Sequence, residues 1–263
     1  MMSPHLSGIC GRSFLVTRPE GQALVLMDGL RALGAKAEHI PFLAIEPIDD
    51  RAAIEHITGS LSAYTACIFI SANAVRVAWP ELTKAGRGWP ENLAAACVGP
   101  GTANVLRELG VAHVVMPRCR FDSEGLLAEP FFEESRCHGH AFAMIRGEGG
   151  RDFLAQSLRA RGARVDEAAV YQRCLHPDVL SRLQNWVDAG GGTLLVSSSE
   201  SLQRVMSAAP QALRTRLQTL PILVPHSRIA ECAHQLGFSD VATSAGGDAG
   251  MLDYLRSYNV SEV

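Results

Sequence analysis

Short apolar runs alternate with helical periodicity along almost the whole chain, and the clearest example spans Ala141–Tyr171 (AFAMIRGEGGRDFLAQSLRARGARVDEAAVY). The pattern predicts a strand over Ala141–Ile145, a Gly-rich turn over Arg146–Gly150, a helix over Arg151–Arg161 and a second strand over Arg164–Tyr171. Phe153, Leu154 and Leu158 fall on one helical face, and Gly162 stands where a left-handed residue closes a helix. The turn leaves backbone N–H groups free at a helix N-terminus, where anions bind without a cationic side chain.

The stretch has an echo at Phe14–Ile40 (FLVTRPEGQALVLMDGLRALGAKAEHI). Arg18 to Arg146 and Gly34 to Gly162 are both 128 positions apart. Further on, Ala66–Val75 resembles Thr193–Leu202, with Ser71 and Ser197 126 apart; Val98–Gly110 resembles Val224–Gly237, with Thr102 and Ser227 125 apart. Three matches in one order at nearly one offset imply two copies of one α/β unit. Strands alternating with helices imply parallel sheets, whose ligands sit at the carboxyl ends of the strands.

Taken in order, Met1–Gly11 reads as a loose leader. Thr17-x-x-Glu20 fits a capping box for a helix to Leu33, and Asp49 or Asp50 would cap a helix over Arg51–Leu61. Proline at both ends of PFLAIEP (Pro41–Pro47) suits a connector better than a central strand. Buried strands are expected at Ala66–Ile70 and Leu93–Val98, and further strands at His113–Met116, Thr193–Val196, Pro221–Val224 and Asp240–Thr243. Helices are expected from Ser71-Ala72-Asn73 to near Pro80 and over Ala103–Leu109 behind a Thr102 cap. Others follow over Glu124–Phe132, Asp178–Ala189, after Ser197-Ser198-Ser199, over Arg228–Leu236 behind Ser227, and over Ala249–Tyr258.

Composition narrows the function. A length of 263 residues allows two domains with cores, and a formal charge of −3 offers no basic field for nucleic acid. Lys36 and Lys84 are the two lysines, neither in a promising turn for Schiff-base chemistry. Seven scattered cysteines without a C-x-x-C pair suit reduced thiols in a cytosol. No apolar run approaches the ~20 residues of a membrane span, and no signal-peptide pattern opens the chain. The expectation is a cytoplasmic protein with no membrane or nucleic-acid partner.

Thr17, Ser71, Thr102, Gly147, Ser197 and Ser227 each follow a strand. Individually they are ordinary N-caps; in two facing copies they would form a ring of donors for a polyanionic ligand, and the residues alone leave both open. Arg146 and Arg151 flank the Gly-rich turn, either as bidentate anion holders or as a solvated pair. GEGG is neither a P-loop nor a dinucleotide fingerprint, and no G-x-S-x-G is present. Cys137-His138-x-His140 and Cys232-x-His234 fit no common zinc spacing. Tyr171, at a strand end before QRCLHP, reads on its own as a packing residue with a wet hydroxyl.

Several motifs together carry a resemblance. Leu15-Val16-Thr17-Arg18-Pro19, Phe69-Ile70-Ser71-x-Asn73-Ala74-Val75, Val98-Gly99-x-x-Thr102-Ala103, Arg146-Gly147-x-x-Gly150-Arg151, Val170-Tyr171-x-Arg173, and Ser227-x-x-Ala230 with Leu236-Gly237-Phe238 occur in an order that resembles the uroporphyrinogen-III synthase family. The resemblance implies an enzyme, a lyase of porphyrin, tetrapyrrole and heme biosynthesis. Its reaction cyclises the linear tetrapyrrole hydroxymethylbilane to uroporphyrinogen III, losing water and inverting ring D, without cofactor or metal and as a monomer.

It also implies a threaded fold: residues 1–41 and 174–263 form one α/β domain and residues 42–173 the other. The two are similar, each a parallel sheet flanked by helices, joined by a two-stranded connector; a tandem reading would instead cut near Glu133–Gly139. Tyr171 becomes the expected general acid. Thr17, Arg18, Ser71, Asn73, Thr102, Arg146, Gly147, Arg151, Ser197, Ser198 and Ser227 become expected substrate contacts in an interdomain cleft, where helix N-termini hold carboxylates in an acidic, lysine-poor protein. The rival reading is a non-catalytic bilobal binding protein for a polycarboxylate, which shares the duplication and lacks only the chemistry.

Overall fold

In the computed structural model, which describes residues 9–48, 51–84 and 88–257, side chains alternate between two faces of each sheet as the pleat requires. Cys67 and Phe69 of one strand join one core, while Ala66 and Ile68 of the same strand join the core on the other face. Strands such as Ala66–Phe69 and Ala94–Cys97 therefore read as continuous apolar runs, buried on both sides. Each large side chain buried in this way contributes ~1.5–3 kcal/mol.

The chain begins with β1 (Ser13–Val16), α1 (Leu24–Ala32) and β2 (Lys36–His39), then passes through β3 (Leu43–Pro47). There follow α2 (Ala52–Gly59), β4 (Ala66–Phe69), α3 (Ala72–Leu82), β5 (Ala94–Cys97), α4 (Pro100–Glu108) and β6 (Val114–Val115). Short α5 (Ser123–Leu127) and α6 (Glu134–Cys137) lead to β7 (Ala141–Gly147), α7 (Phe153–Ala160) and the long β8 (Arg164–Leu175). The remainder is α8 (Val179–Asp188), β9 (Thr193–Leu195), α9 (Ser199–Ala208), α10 (Gln211–Gln218), β10 (Ile222–Val224), α11 (Ser227–Gln235), β11 (Val241–Thr243) and α12 (Gly247–Ser257).

Two compact units result: Met1–Ala44 with Cys174–Val263, and Ile45–Arg173. The first holds a five-stranded sheet ordered β11-β10-β9-β1-β2, parallel throughout. The second holds a six-stranded sheet ordered β3-β8-β7-β4-β5-β6, parallel from β8 to β6. The chain leaves the first unit in β3 and returns in β8, which are neighbours in that sheet.

The sequence echo maps one sheet onto the other. It equates β1 with β7, β2 with β8, β4 with β9 and β5 with β10, and the remaining strands pair as β6 with β11. Under that mapping the two sheets have one spatial order. They differ in the extra edge strand β3 of the second sheet and in where the chain enters, because the first unit begins at its β1–β2 pair and the second ends at the equivalent β7–β8 pair. Gly34 and Gly162 hold equivalent places with φ +78° and +80°, the left-handed stops expected for both helices.

Several expected boundaries and caps move. The helix after β1 starts at Leu24, so Thr17 and Glu20 form no capping box. The helix at Ala52 follows Arg51, while Asp49 and Asp50 lie outside the described residues, as does most of the expected leader. Pro80 sits inside α3, which runs on to Leu82. The helix expected over Glu124–Phe132 breaks after Leu127 into a separate turn at Pro130–Phe132. α10, preceded by Pro210, escaped the sequence reading; its face carries only Leu213 and Leu217 as buried residues.

Candidate active site

In parallel sheets a ligand crevice opens where the strand order reverses, at the carboxyl ends of the two strands that flank the reversal. In the Ile45–Arg173 unit that point lies between β4 and β7. β4 ends at Phe69 and leads through Ile70 to Ser71, the N-cap of α3, whose Oγ accepts from Ala74 N–H at 3.1 Å. β7 ends at Gly147, later than the expected Ile145, so Arg146 and Gly147 belong to the strand rather than to a turn.

β8 likewise runs past its expected end to Leu175, which puts Tyr171 within the strand and only 1% exposed. The wet packing residue expected there is a buried one. A register shift explains its direction: Arg146 pairs with Ala169 but Gly147 pairs with Tyr171, leaving Val170 as the extra residue of a bulge. Ala168, Val170 and Tyr171 consequently all pack into one core, where strict alternation would have sent Tyr171 to the opposite face. Its ring lies over Gly147, and its hydroxyl is 3.0 Å from Ser71 Oγ. Arg173 Nη2 donates to the same phenol oxygen at 3.2 Å, with the guanidinium 5.5 Å from the ring centroid.

These groups line a cavity of about 100 Å³ with Ser123, Arg146 and Arg151. Arg146 is 13% exposed and committed: it pairs with Asp152 at 2.8 Å and Glu167 at 3.1 Å and donates to Gly149 C=O at 2.6 Å. Burial opposes its charge, but the bonds to Asp152 and Glu167 outweigh that and raise its proton affinity above the usual value. Arg151 grips both oxygens of Glu124 at 2.9 and 3.3 Å, and that hydrogen bond is the first cause of a Glu124 carboxyl held below its ordinary range. Both arginines, expected to be anion holders, are thus braced by carboxylates at the rim. The buried phenol oxygen has a hydroxyl and a guanidinium within hydrogen-bond distance.

Comparison with known proteins decides the family. Residues 25–251 match the family model described as uroporphyrinogen-III synthase HemD. A uroporphyrinogen-III synthase from Salmonella typhimurium is 34% identical over 241 residues, covering 90% of this chain and 97% of that one. The Escherichia coli protein of that name is 32% identical over the same coverage. The chain belongs to the uroporphyrinogen-III synthase family.

Solved uroporphyrinogen III synthases agree in fold. A mutant of the Thermus thermophilus protein and the Helicobacter pylori protein each match with a TM-score of 0.58 over 94% of this chain, at 17% and 14% identity, covering 98% and 99% of their own chains.

In the other unit the order reverses between β1 and β9. Thr17, 3% exposed, uses its hydroxyl to bridge that point, donating to Leu195 C=O at 2.9 Å. Arg18 pairs with Asp248 at 2.7 Å. Ser197 and Ser198 line a cleft of about 570 Å³ with Arg228 and Gln203, and Ser198 caps α9 by accepting from Ser201 N–H. Ser227 is not a cap: His226 caps α11, its ring nitrogen accepting from Arg228 N–H at 3.2 Å, and Ser227 is the first helical residue. Thr102 is not one either; Gly99 occupies that place and Thr102 is buried in the first turn of α4. Thr102 and half-buried Asn73 are not among the residues lining the cavity beside Tyr171.

Arg173, Ser123 and Arg228 line these cavities, although the sequence reading assigned none of them a site role and Arg173 entered only as part of the Val170-Tyr171-x-Arg173 motif. For Arg173 the signal was available, since residues two apart on a strand share a side. Among the described residues no cluster of three or more His, Cys, Asp or Glu could hold a metal, and no helix is long and apolar enough to cross a membrane. Cys137 is buried with its thiol on Phe132 C=O at 3.2 Å.

Proposed function

We propose that this enzyme of the uroporphyrinogen-III synthase type closes hydroxymethylbilane into uroporphyrinogen III, with loss of water and inversion of ring D, using Tyr171 as the general acid. The single observation that supports the acid is the buried Tyr171 hydroxyl at the β4–β7 reversal, flanked by Ser71 and Arg173 and facing a cavity. A cavity of about 100 Å³ is too small for four pyrroles and suits one end of the chain, the end that carries the hydroxymethyl group.

The chemistry follows from that fit. Proton donation to the hydroxyl lets water leave and creates an azafulvene-like cation on the terminal pyrrole. The attack then has to reach the substituted carbon of ring D, through a spiro intermediate, rather than the open position. Holding the two ends in one geometry supplies that choice and much of the rate. The braced Arg146 and Arg151 and the Ser198 helix start are the proposed holders of substrate carboxylates, with Thr17, Arg18, Ser71, Asn73, Thr102, Gly147, Ser197 and Ser227 as further contacts along the strand ends. The reading extends to a monomer acting in the cytoplasm, supported by an odd, scattered set of cysteines.

The test is a coupled assay in which hydroxymethylbilane is generated in place and the two product isomers are separated. Predominant isomer III in proportion to enzyme is the expected result. Isomer I at the uncatalysed rate, together with saturable binding of the tetrapyrrole, would make the protein a binding module instead.

A further inference from the structure

We infer that Arg173 is a positioning residue for the acid: it holds Tyr171 by the phenol oxygen, keeps the phenol proton directed to the cavity, and provides the partner of the phenolate left after transfer. This rests on the reading of Tyr171 as the acid.

A guanidinium has five donors and no acceptor, so in the 3.2 Å contact the phenol oxygen must accept. Ser71 Oγ, 3.0 Å from that oxygen, already accepts from Ala74 N–H and has its own proton to give. The assignment has both neighbours donating to Tyr171. The phenol proton then has no use on either partner and points to whatever occupies the cavity that the same three residues line. Arg173 is the guanidinium that reaches this oxygen, with Nη2 3.2 Å from it. Arg173 follows Tyr171 by two residues on β8, so the strand that carries the acid also carries its partner, and the bulge at Val170 sets both.

The step balances without a further reactant. The proton moves from Tyr171 to the substrate hydroxyl oxygen, the carbon–oxygen bond breaks with its electron pair leaving in water, and the pyrrole nitrogen pair fills the gap. The phenolate waits between Arg173 and Ser71 until the rearranged ring surrenders a proton and restores the phenol. Only water is lost overall. Preorganised donors on a developing oxyanion typically carry ~10²–10³-fold in kcat.

A residue that merely packed on the ring would affect folding and leave the chemistry to Tyr171. The experiment therefore measures kcat, KM, isomer ratio and Tm for Arg173→Gln and Arg173→Lys, each in the native chain and in Tyr171→Phe. Arg173→Gln should lower kcat ~10²-fold with KM little changed, and Arg173→Lys, which keeps a charged donor, should recover most of it. In the Tyr171→Phe background Arg173→Gln should change kcat by less than about threefold, because the oxygen it serves is gone. An equal loss in both backgrounds would overturn the inference while leaving Tyr171 as the acid. A raised KM with native kcat would overturn it in favour of a substrate-carboxylate contact. Native kcat in Tyr171→Phe alone would remove the reading beneath it. Should Arg173→Gln fold poorly, Arg173→Met, which keeps the apolar stem and has no donor, carries the same comparison: an equal kcat loss in both backgrounds counts against the inference.

Discussion

Tyr171 lies so close over Gly147 that a Cβ added to the glycine would come within 2.4 Å of the ring carbon that bears the hydroxyl. The glycine is required by this approach and not by an unusual φ. Gly147→Ala must push an aromatic ring that is packed into a core and hydrogen-bonded at its far end. Overpacking of this kind costs ~1–3 kcal/mol. A displacement of about 1 Å at the acid is worth ~10²-fold in rate. Gly147→Ala should therefore lose more activity than stability, read as kcat against Tm; a variant with native kcat would mean that the ring position is not critical.

Of the two serines expected as caps in the Cys174–Val263 segment, Ser197 and Ser227, neither is one: the first cap falls one residue later, at Ser198, and the second one residue earlier, at His226. Ser198 caps α9 through its side chain, whereas Ser227 is one residue inside α11 and His226 does the capping. Ser198→Ala should cost ~0.5–2 kcal/mol in thermal unfolding. Ser227→Ala should stay within ~0.5 kcal/mol. Equal losses in the two variants would contradict the assigned caps.

What could be read from the sequence was the repeat and its stops. Apolar runs such as Ala66–Phe69 and the glycines Gly34 and Gly162 declare themselves because burial on both faces and left-handed φ each demand specific residue types. The site was legible as positions near the carboxyl ends of strands, since Ser71, Gly147, Arg146 and Tyr171 do meet at one cavity. Its side-chain chemistry was not. Whether Thr102 or Gly99 caps α4 depends on a single residue of helix start, and Pro100 fits the first turn without its N–H. The bulge at Val170, which turns Tyr171 inward, arises from pairing with β7 across a sheet and leaves no local mark in VYQR. The arginine braces join residues as distant as Glu124 and Arg151, where only the fold supplies the neighbour.

Thiol reactivity should sort by burial. Cys10 and Cys119 are exposed, while burial pushes Cys67 up to about 12 and raises Cys97 and Cys137 as well. The thiolate is the reactive form, so native protein near neutral pH should be alkylated quickly at Cys10 and Cys119 and slowly at Cys67. Peptide mapping after brief alkylation reads this directly. Early labelling of Cys67 would show that the Ile45–Arg173 core opens readily.

The acid limb of stability should depend on surface carboxylates that the fold holds ionised. Asp188 is held below its ordinary value by the Arg216 hydrogen bond first and by Gln184 next, and Asp122 by the Gly125 N–H first and Arg120 after it. A carboxylate with a depressed folded-state value contributes stability that is complete above the unfolded value of ~4 and is lost as pH falls through the folded value. Tm should therefore be flat from neutral pH to about 5 and fall below that, as protons bind the unfolded chain more readily. Asp188→Asn removes one of the titrating groups and cannot gain from ionisation, so its Tm should lie below the native value near neutrality and converge on it toward pH 3. Salt should narrow the neutral-pH difference, because both partners are solvated. Parallel Tm–pH curves for the two proteins, with no convergence in acid, would show that Asp188 acts through packing and not through its charge.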